Sequence, residues 1–133
     1  MEKNQQELMF KLSMFEQHIQ QLQQQLQAVE QGIIEISSLN LGLDELVGGE
    51  GKEIIAPIGR GIFAKAKLLS EELIVDVGGK NFVKKSIPET KEIIDKQIKK
   101  LEDIHKELNN NLEEVSEELM RVMEEGREKN KSK

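Results

Sequence analysis

Apolar residues recur at Leu8, Leu12, Phe15, Ile19, Leu22, Leu26, Val29, Ile33 and Ile36, in alternating steps of four and three. A matching run follows later, at Ile94, Ile98, Leu101, His105, Leu108, Leu112, Val115, Leu119 and Val122, interrupted only by the histidine. A seam of this kind lies along one stripe of an underwound helix and is stable only when buried against another helix. Two stripes of similar length, separated by a segment without heptads, predict a chain that goes out and comes back. The expected fold is α+β: a long antiparallel coiled-coil helical hairpin with two β-hairpins inserted between its helices.

The first helix is predicted over residues 1–47, beginning in earnest near Gln5 and spanning about 65 Å at ~1.5 Å per residue. Taking Leu8 as heptad position d puts Asn40 at a, Leu43 at d and Val47 at a. Either Asn40 faces the partner helix and pins the register at a cost in stability, or a local stammer turns Leu39 or Leu41 inward instead. Gly32 and Gly42 fall off the seam, and each is a place where the helix can bend at a cost of about 1 kcal/mol. The glutamines between Gln17 and Gln31 keep to outer positions and read as a solvated face. The second helix has a capping box for its start, Ser86-Ile87-Pro88-Glu89, with proline in the first turn where its missing N–H costs nothing. It is expected over 88–126, with Gly126 as its stop and 127–133 as a flexible tail. The register between the helices is open by one heptad: His105 faces either Val29 or Leu22.

Between the helices, residues 48–87 change character. Gly48-Gly49-Glu50-Gly51 ends the first helix, and Glu53–Ile58 and Ile62–Leu68 flank Gly59-Arg60-Gly61. The second run alternates, Lys65 and Lys67 on one face and Ile62, Ala64 and Ala66 on the other, which is a hairpin signal. A second hairpin is expected from Leu73–Val77 and Phe82–Lys85 around Gly78-Gly79-Lys80-Asn81. Pro57 marks its strand as an edge or as bulged. Two short hairpins do not make a stable free-standing sheet, and their open edges invite pairing. The insertion therefore reads as an assembly module completed by other subunits, the alternative being a small sheet that caps its own coil in a monomer. The assembly residues are expected to be Ile55, Pro57, Ile58, Gly59, Gly61 and Phe63 in the first hairpin. In the second they are Ile74, Val75, Val77, Phe82 and Val83.

Composition narrows the function. A chain of 133 residues that is 37% hydrophobic, 3% aromatic and 33% charged has little for a globular core and much for an elongated, exposed surface. A net charge of −6 argues against nucleic-acid binding, which needs a basic face, and aromatics for stacking are nearly absent. With no cysteine, disulfides, thiolate metal sites and cysteine nucleophiles are excluded. His105 lacks a second metal ligand, because His18 lies off the seam, and it reads as structural filler. Gly59-Arg60-Gly61 and Gly79-Lys80-Asn81 complete no phosphate-binding motif. No catalytic constellation, cofactor or metal is expected, nor any apolar run long enough for a signal peptide or membrane span, so the default location is the cytoplasm.

The order helix, Ile55-Ala56-Pro57-Ile58-Gly59-Arg60-Gly61-Ile62-Phe63-Ala64-Lys65-Ala66, Ile74-Val75-Asp76-Val77-Gly78-Gly79, Val83-Lys84-Lys85-Ser86, helix resembles the alpha-type subunits of the prefoldin family. The likeness spans essentially the whole chain, and two hairpins separate alpha-type from beta-type subunits, which carry one. Gly79-Lys80-Asn81-Phe82 departs from the archaeal pattern, which has smaller residues at this turn. The resemblance implies a jellyfish-shaped hexamer of two alpha and four beta subunits, with hairpins in paired β-barrels and coiled coils hanging free. It further implies an archaeal source and a chaperone that holds unfolded proteins without ATP, then passes them to a group II chaperonin.

All five methionines lie in the first or last fourteen residues, which the hairpin brings to one free end. Met9, Met14, Met120 and Met123 lie off the seam, as does Phe10, so the two-helix core does not account for them. Methionine is flexible and polarizable and suits surfaces that bind many shapes. The expected client-binding residues are therefore Met9, Phe10, Met14, Met120 and Met123, with the exposed parts of Leu8, Leu119 and Val122; Met1, as an initiator, adds least. The bland alternative is that they only thicken the end of the coil. Glu107, Glu113, Glu114, Glu117, Glu118, Glu124 and Glu125 make the second helix acidic toward the same end, either as a solvated face or as a means of steering toward a basic chaperonin surface. The competing reading of the whole chain is structural: a coiled-coil protein that self-assembles through its hairpins, such as a filament-forming prefoldin relative.

Overall fold

A computed structural model describes residues 2–131, with side chains over 4–127. The element order is α1 (Glu2–Leu46), β1 (Glu53–Gly59), β2 (Ile62–Lys67), β3 (Leu73–Asp76), β4 (Phe82–Lys85) and α2 (Ile87–Lys131). The chain divides into two compact units, Met1–Ile33 with Lys100–Lys133, and Ile34–Lys99.

The first unit is a helix pair built on the expected seam. Leu22 and Leu26 are buried, and Leu8, Leu12, Phe15, Ile19, Val29 and Ile33 are half-buried. Two helices shield only one stripe of each other, so partial burial is what this geometry allows. The His105 Nε2 lies 2.9 Å from Glu30 Oε1, and Leu101 is the side chain nearest to Gly32. These contacts select the register that sets Val29, and not Leu22, level with His105. His105 occupies its seam position by turning its ring edge to a carboxylate on the flank.

The second helix does not stop at Gly126. It runs on to Lys131, so the residues expected as a flexible tail are helical up to that point, while Ser132 and Lys133 lie outside the described residues. The reason is packing. Gly126 takes the next seam position after Val122 and is buried against Leu8, where an added Cβ would stand 2.7 Å from Leu8 Cδ2. The glycine is there for close approach of the helix to Leu8; it does not act as a cap.

In the second unit Leu43, Ile87 and Ile94 form a buried cluster, with Ile36, Leu46, Leu73 and Ile98 packed on it. Leu46 takes the place expected of Val47, which is exposed. The helix ends at Leu46, and Val47 N donates to Asp44 O at 3.3 Å in the turn that follows, so Val47 lies outside the helical seam. Asn40 is half-buried and its Nδ2 donates to Asp95 Oδ1 at 2.9 Å, while Leu39 and Leu41 stay exposed. The seam keeps its period through a polar residue, with no stammer. The cost is visible, since Asn40 Oδ1 is buried without a hydrogen-bond partner. One turn on, Lys91 pairs with Asp44. Helix α1 is unbroken at both Gly32 and Gly42.

The capping box is present in full. Glu89 N donates to Ser86 Oγ at 3.2 Å, and Ser86 N and Oγ both donate to Glu89 Oε1, at 3.3 and 2.9 Å. The hydrogen bonds from Ser86, side chain first and backbone second, hold the Glu89 carboxyl below its ordinary value, with help from Lys85. A depressed folded value means that this contribution is present above the unfolded carboxylate's pKa and is lost as pH falls through the folded one. Ser86→Ala is expected to cost about 1 kcal/mol at neutral pH. Urea unfolding of both proteins along an acid series checks the sign, because the gap between them narrows as Glu89 protonates.

The insertion forms two separate two-stranded antiparallel sheets, β1–β2 and β3–β4. In the first, Ile54 pairs with Ala66, Ile55 with Lys65, Ala56 with Ala64 and Pro57 with Phe63, and a bulge falls between Pro57 and Gly59. The bulge accommodates the proline that the edge reading anticipated. Arg60 and Gly61 both have positive φ, 50° and 79°, which is the backbone of a two-residue hairpin loop whose twist matches its strands. In the second sheet Val75 pairs with Val83 and Asp76 with Phe82. Its unusual turn is well bonded. Gly78 N donates to Asp76 Oδ1 at 2.9 Å and Val77 N to Asn81 O at 2.9 Å, with Lys80 at φ 63°. The linker between the hairpins is tied down at Glu71, whose Oε1 accepts from Gly48 N at 2.6 Å.

Candidate functional site

Two surfaces, one in each unit, carry exposed apolar side chains that their own unit does not cover. The first lies where the first unit brings the start of α1 beside the end of α2. Leu8, packed on Gly126, fixes the two helices there. Off the seam, Met9, Met14, Met120 and Met123 are 70%, 56%, 66% and 54% exposed, and Phe10 is exposed with them. Leu8, Leu119 and Val122 are half-buried seam residues that keep part of their surface open. All eight residues expected at this end are therefore in one unit and reach solvent. A groove alongside is lined by Met14, Phe15 and Val122 together with the polar Lys11, His18, Glu118, Arg121 and Glu125. The polar members of this groove escape a reading of the sequence, because nothing in the heptad pattern distinguishes them from an ordinary solvated face.

The second surface is that of the two β-hairpins. Ile55, Ile58, Phe63, Ile74, Val77 and Phe82 are exposed, and Val83 lies at the edge of exposure. Pro57 is exposed on the bulged strand, and Gly59 and Gly61 flank the tip of the loop. Val75 differs from the rest of the set. It is half-buried and shares with Leu73 the face that points away from Ile74, because successive residues of a strand alternate sides. Ile62 and Leu69 belong to the exposed surface too, Leu69 as the most exposed large apolar residue described. Both are legible in sequence only as continuations of runs whose outward face the sequence does not identify. Neither sheet has a third strand among the described residues, so each keeps two open edges.

Among the described residues no group of His, Asp and Glu is placed to hold a metal ion, and no helix is long and apolar enough to cross a membrane.

This architecture has relatives. The family model described as prefoldin subunit matches residues 15–132. The chain belongs to the prefoldin family. Among its prefoldin relatives, one named prefoldin subunit alpha from Methanobrevibacter smithii is 34% identical over 97 residues, 72% of this chain and 66% of its own length. Another of that name, from Methanosphaera stadtmanae, is 26% identical, over 66% of this chain and 64% of its own length. Prefoldin subunit alpha 1 from Thermococcus kodakarensis is 34% identical over 70% of this chain and 65% of its own length. The chain thus matches just under two thirds of these prefoldin subunits' lengths. In fold it is similar to a filamentous PFD from Methanocaldococcus jannaschii solved by cryo-EM, with a TM-score of 0.78 at 20% identity, covering 86% of this chain and 97% of that one. The resemblance to alpha-type prefoldin subunits of archaea, and the expected fold of two long helices around two β-hairpins, are both borne out.

Proposed function

We propose that this prefoldin-family chain is a subunit of an ATP-independent holdase. It assembles through its hairpins with beta-type prefoldin subunits, two copies of this chain to four of the other, in the cytoplasm of an archaeon. It captures unfolded proteins at the end of its first unit and passes them to a group II chaperonin. The observation that carries the reading is the set of four exposed methionines and Phe10 beside the Leu8–Gly126 contact. A two-helix seam has no use for them, whereas unbranched thioethers in solvent adapt to many apolar shapes.

Substituting Met9, Phe10, Met120 and Met123 together by serine tests it. The amount of chaperone needed to suppress aggregation of a denatured protein is expected to rise by about tenfold or more, since burying one methionine alone contributes that much. Assembly, read by native mass spectrometry, stays unchanged because none of the four lies in the second unit. Undiminished suppression would sink the reading.

The similarity to a filamentous PFD favours one alternative, self-assembly of this chain through its open hairpin edges into a polymer. The same mass spectra separate the two: a discrete two-to-four complex with a beta-type subunit, or an open series of this chain alone.

A further inference from the structure

The chain contains no cysteine, tryptophan or tyrosine. Methionine is therefore its principal target for two-electron oxidants, and the described methionines are concentrated in one place. Met9 and Met14 stand on α1, and Met120 and Met123 on α2, all in the first unit and all more than half exposed. An oxidant reaches these sulfurs without any opening of the fold. They also lie off the seam, so a change in their polarity leaves the packing of Leu8, Leu12 and Val122 in place.

We propose that these four methionines form an oxidation-controlled modification site, at which conversion to sulfoxide turns client capture off. The proposal rests on the capture reading given above. A sulfur lone pair attacks one oxygen of a peroxide and the O–O bond breaks. The sulfur gains that oxygen and loses two electrons, and the leaving hydroxide takes up a proton and departs as water. The product is a polar, chiral side chain with a strong acceptor oxygen where an adaptable apolar one stood. Each sulfoxide that a client covers must give up its hydration, so the surface loses the property that made it useful. A dithiol reductase reverses the step, removing the oxygen as water while its own thiols close to a disulfide; two such enzymes are needed, one for each sulfoxide epimer.

The test uses the full chain, alone and assembled with a beta-type subunit. It is treated with hydrogen peroxide, the peroxide is removed, and peptide mass mapping, circular dichroism and suppression of aggregation are measured. A second protein carries Met9→Leu, Met14→Leu, Met120→Leu and Met123→Leu, which keeps apolar bulk but removes the sulfurs. The expected result is sulfoxide at all four positions, unchanged helicity, and at least about a tenfold rise in the chaperone required, the equivalent of one buried methionine lost. Methionine sulfoxide reductases restore the oxidised wild type, and the leucine protein, whatever its untreated level of suppression, is unchanged by treatment. Oxidised wild type that suppresses as before overturns the proposal and leaves the capture reading standing. A leucine protein that loses activity on treatment also overturns it, since the effect then lies elsewhere. Untreated wild type and leucine protein that both fail to suppress overturn the capture reading and this proposal with it.

Discussion

Ile94→Ala is expected to destabilise the chain by about 2–5 kcal/mol, the range for truncating a buried isoleucine. Ile94 is 4% exposed and forms, with Leu43 and Ile87, the buried cluster of the second unit. Around that cluster pack Ile36 and Leu46 from α1, Leu73 from β3 and Ile98 from α2. The cluster thus joins both helices to the second hairpin, and alanine at position 94 removes one of its three buried side chains. Only five apolar side chains among the described residues are buried, so losing one removes a large part of what the fold has. Ile104→Ala makes the control. Ile104 is exposed on the same helix, and its truncation is expected to cost less than about 1 kcal/mol. Urea unfolding at a fixed protein concentration measures both, with an unchanged slope showing that stability and not the unfolded ensemble has moved. Equal midpoints for the two variants would mean that the cluster is not where the stability of this unit resides.

The long seam is legible in the sequence because a heptad repeat sustained over many turns is the mark of a helix packed along one stripe, and the structure follows it from Leu8 to Leu43. The start of α2 is legible for a local reason: the Ser86–Glu89 box involves only residues within one turn. Features that depend on a distant partner are not. Gly126 reads as a stop signal, since a glycine that ends a helix and one that admits a close neighbour are the same letter. Leu8, at the other end of the chain, decides between them. Asn40 is undecided in sequence for a similar reason, with leucines on either side competing for the inward position, and it is Asp95 across the helix pair that supplies the acceptor for its amide. Along the hairpins, alternation separates two sets of residues without saying which set faces solvent. The expected assembly set joins Val75 to Ile74, although adjacent residues of a strand point to opposite sides. The exposed methionines of the first unit are readable as composition, gathered toward the two ends of the sequence, but the polar residues that line the groove beside them are not.

Phe63→Asp combined with Phe82→Asp is expected to abolish assembly while leaving the chain folded. Both rings are exposed, one on each hairpin, and nothing in the second unit covers them. If partner subunits bury them, removing two such rings withdraws about 3–6 kcal/mol of apolar burial, or about two to four powers of ten in affinity. Each new carboxylate must also be desolvated in an interface that has no charge prepared for it, which adds to the loss. The fold has no matching stake, because the buried cluster of Leu43, Ile87 and Ile94 contains neither residue. Circular dichroism should therefore show the helices intact. Native mass spectrometry after mixing with a beta-type subunit should show free chains where the proposed function expects a discrete complex for the wild type. The two substitutions also act on the filament reading, since copies of this chain joining through hairpin edges would bury the same surface. A double variant that still assembles would place the contact on another face. Ile34, Leu39 and Leu41 of α1 would then be the next surface to change, because they are the other large apolar side chains of the second unit's helix segment left exposed.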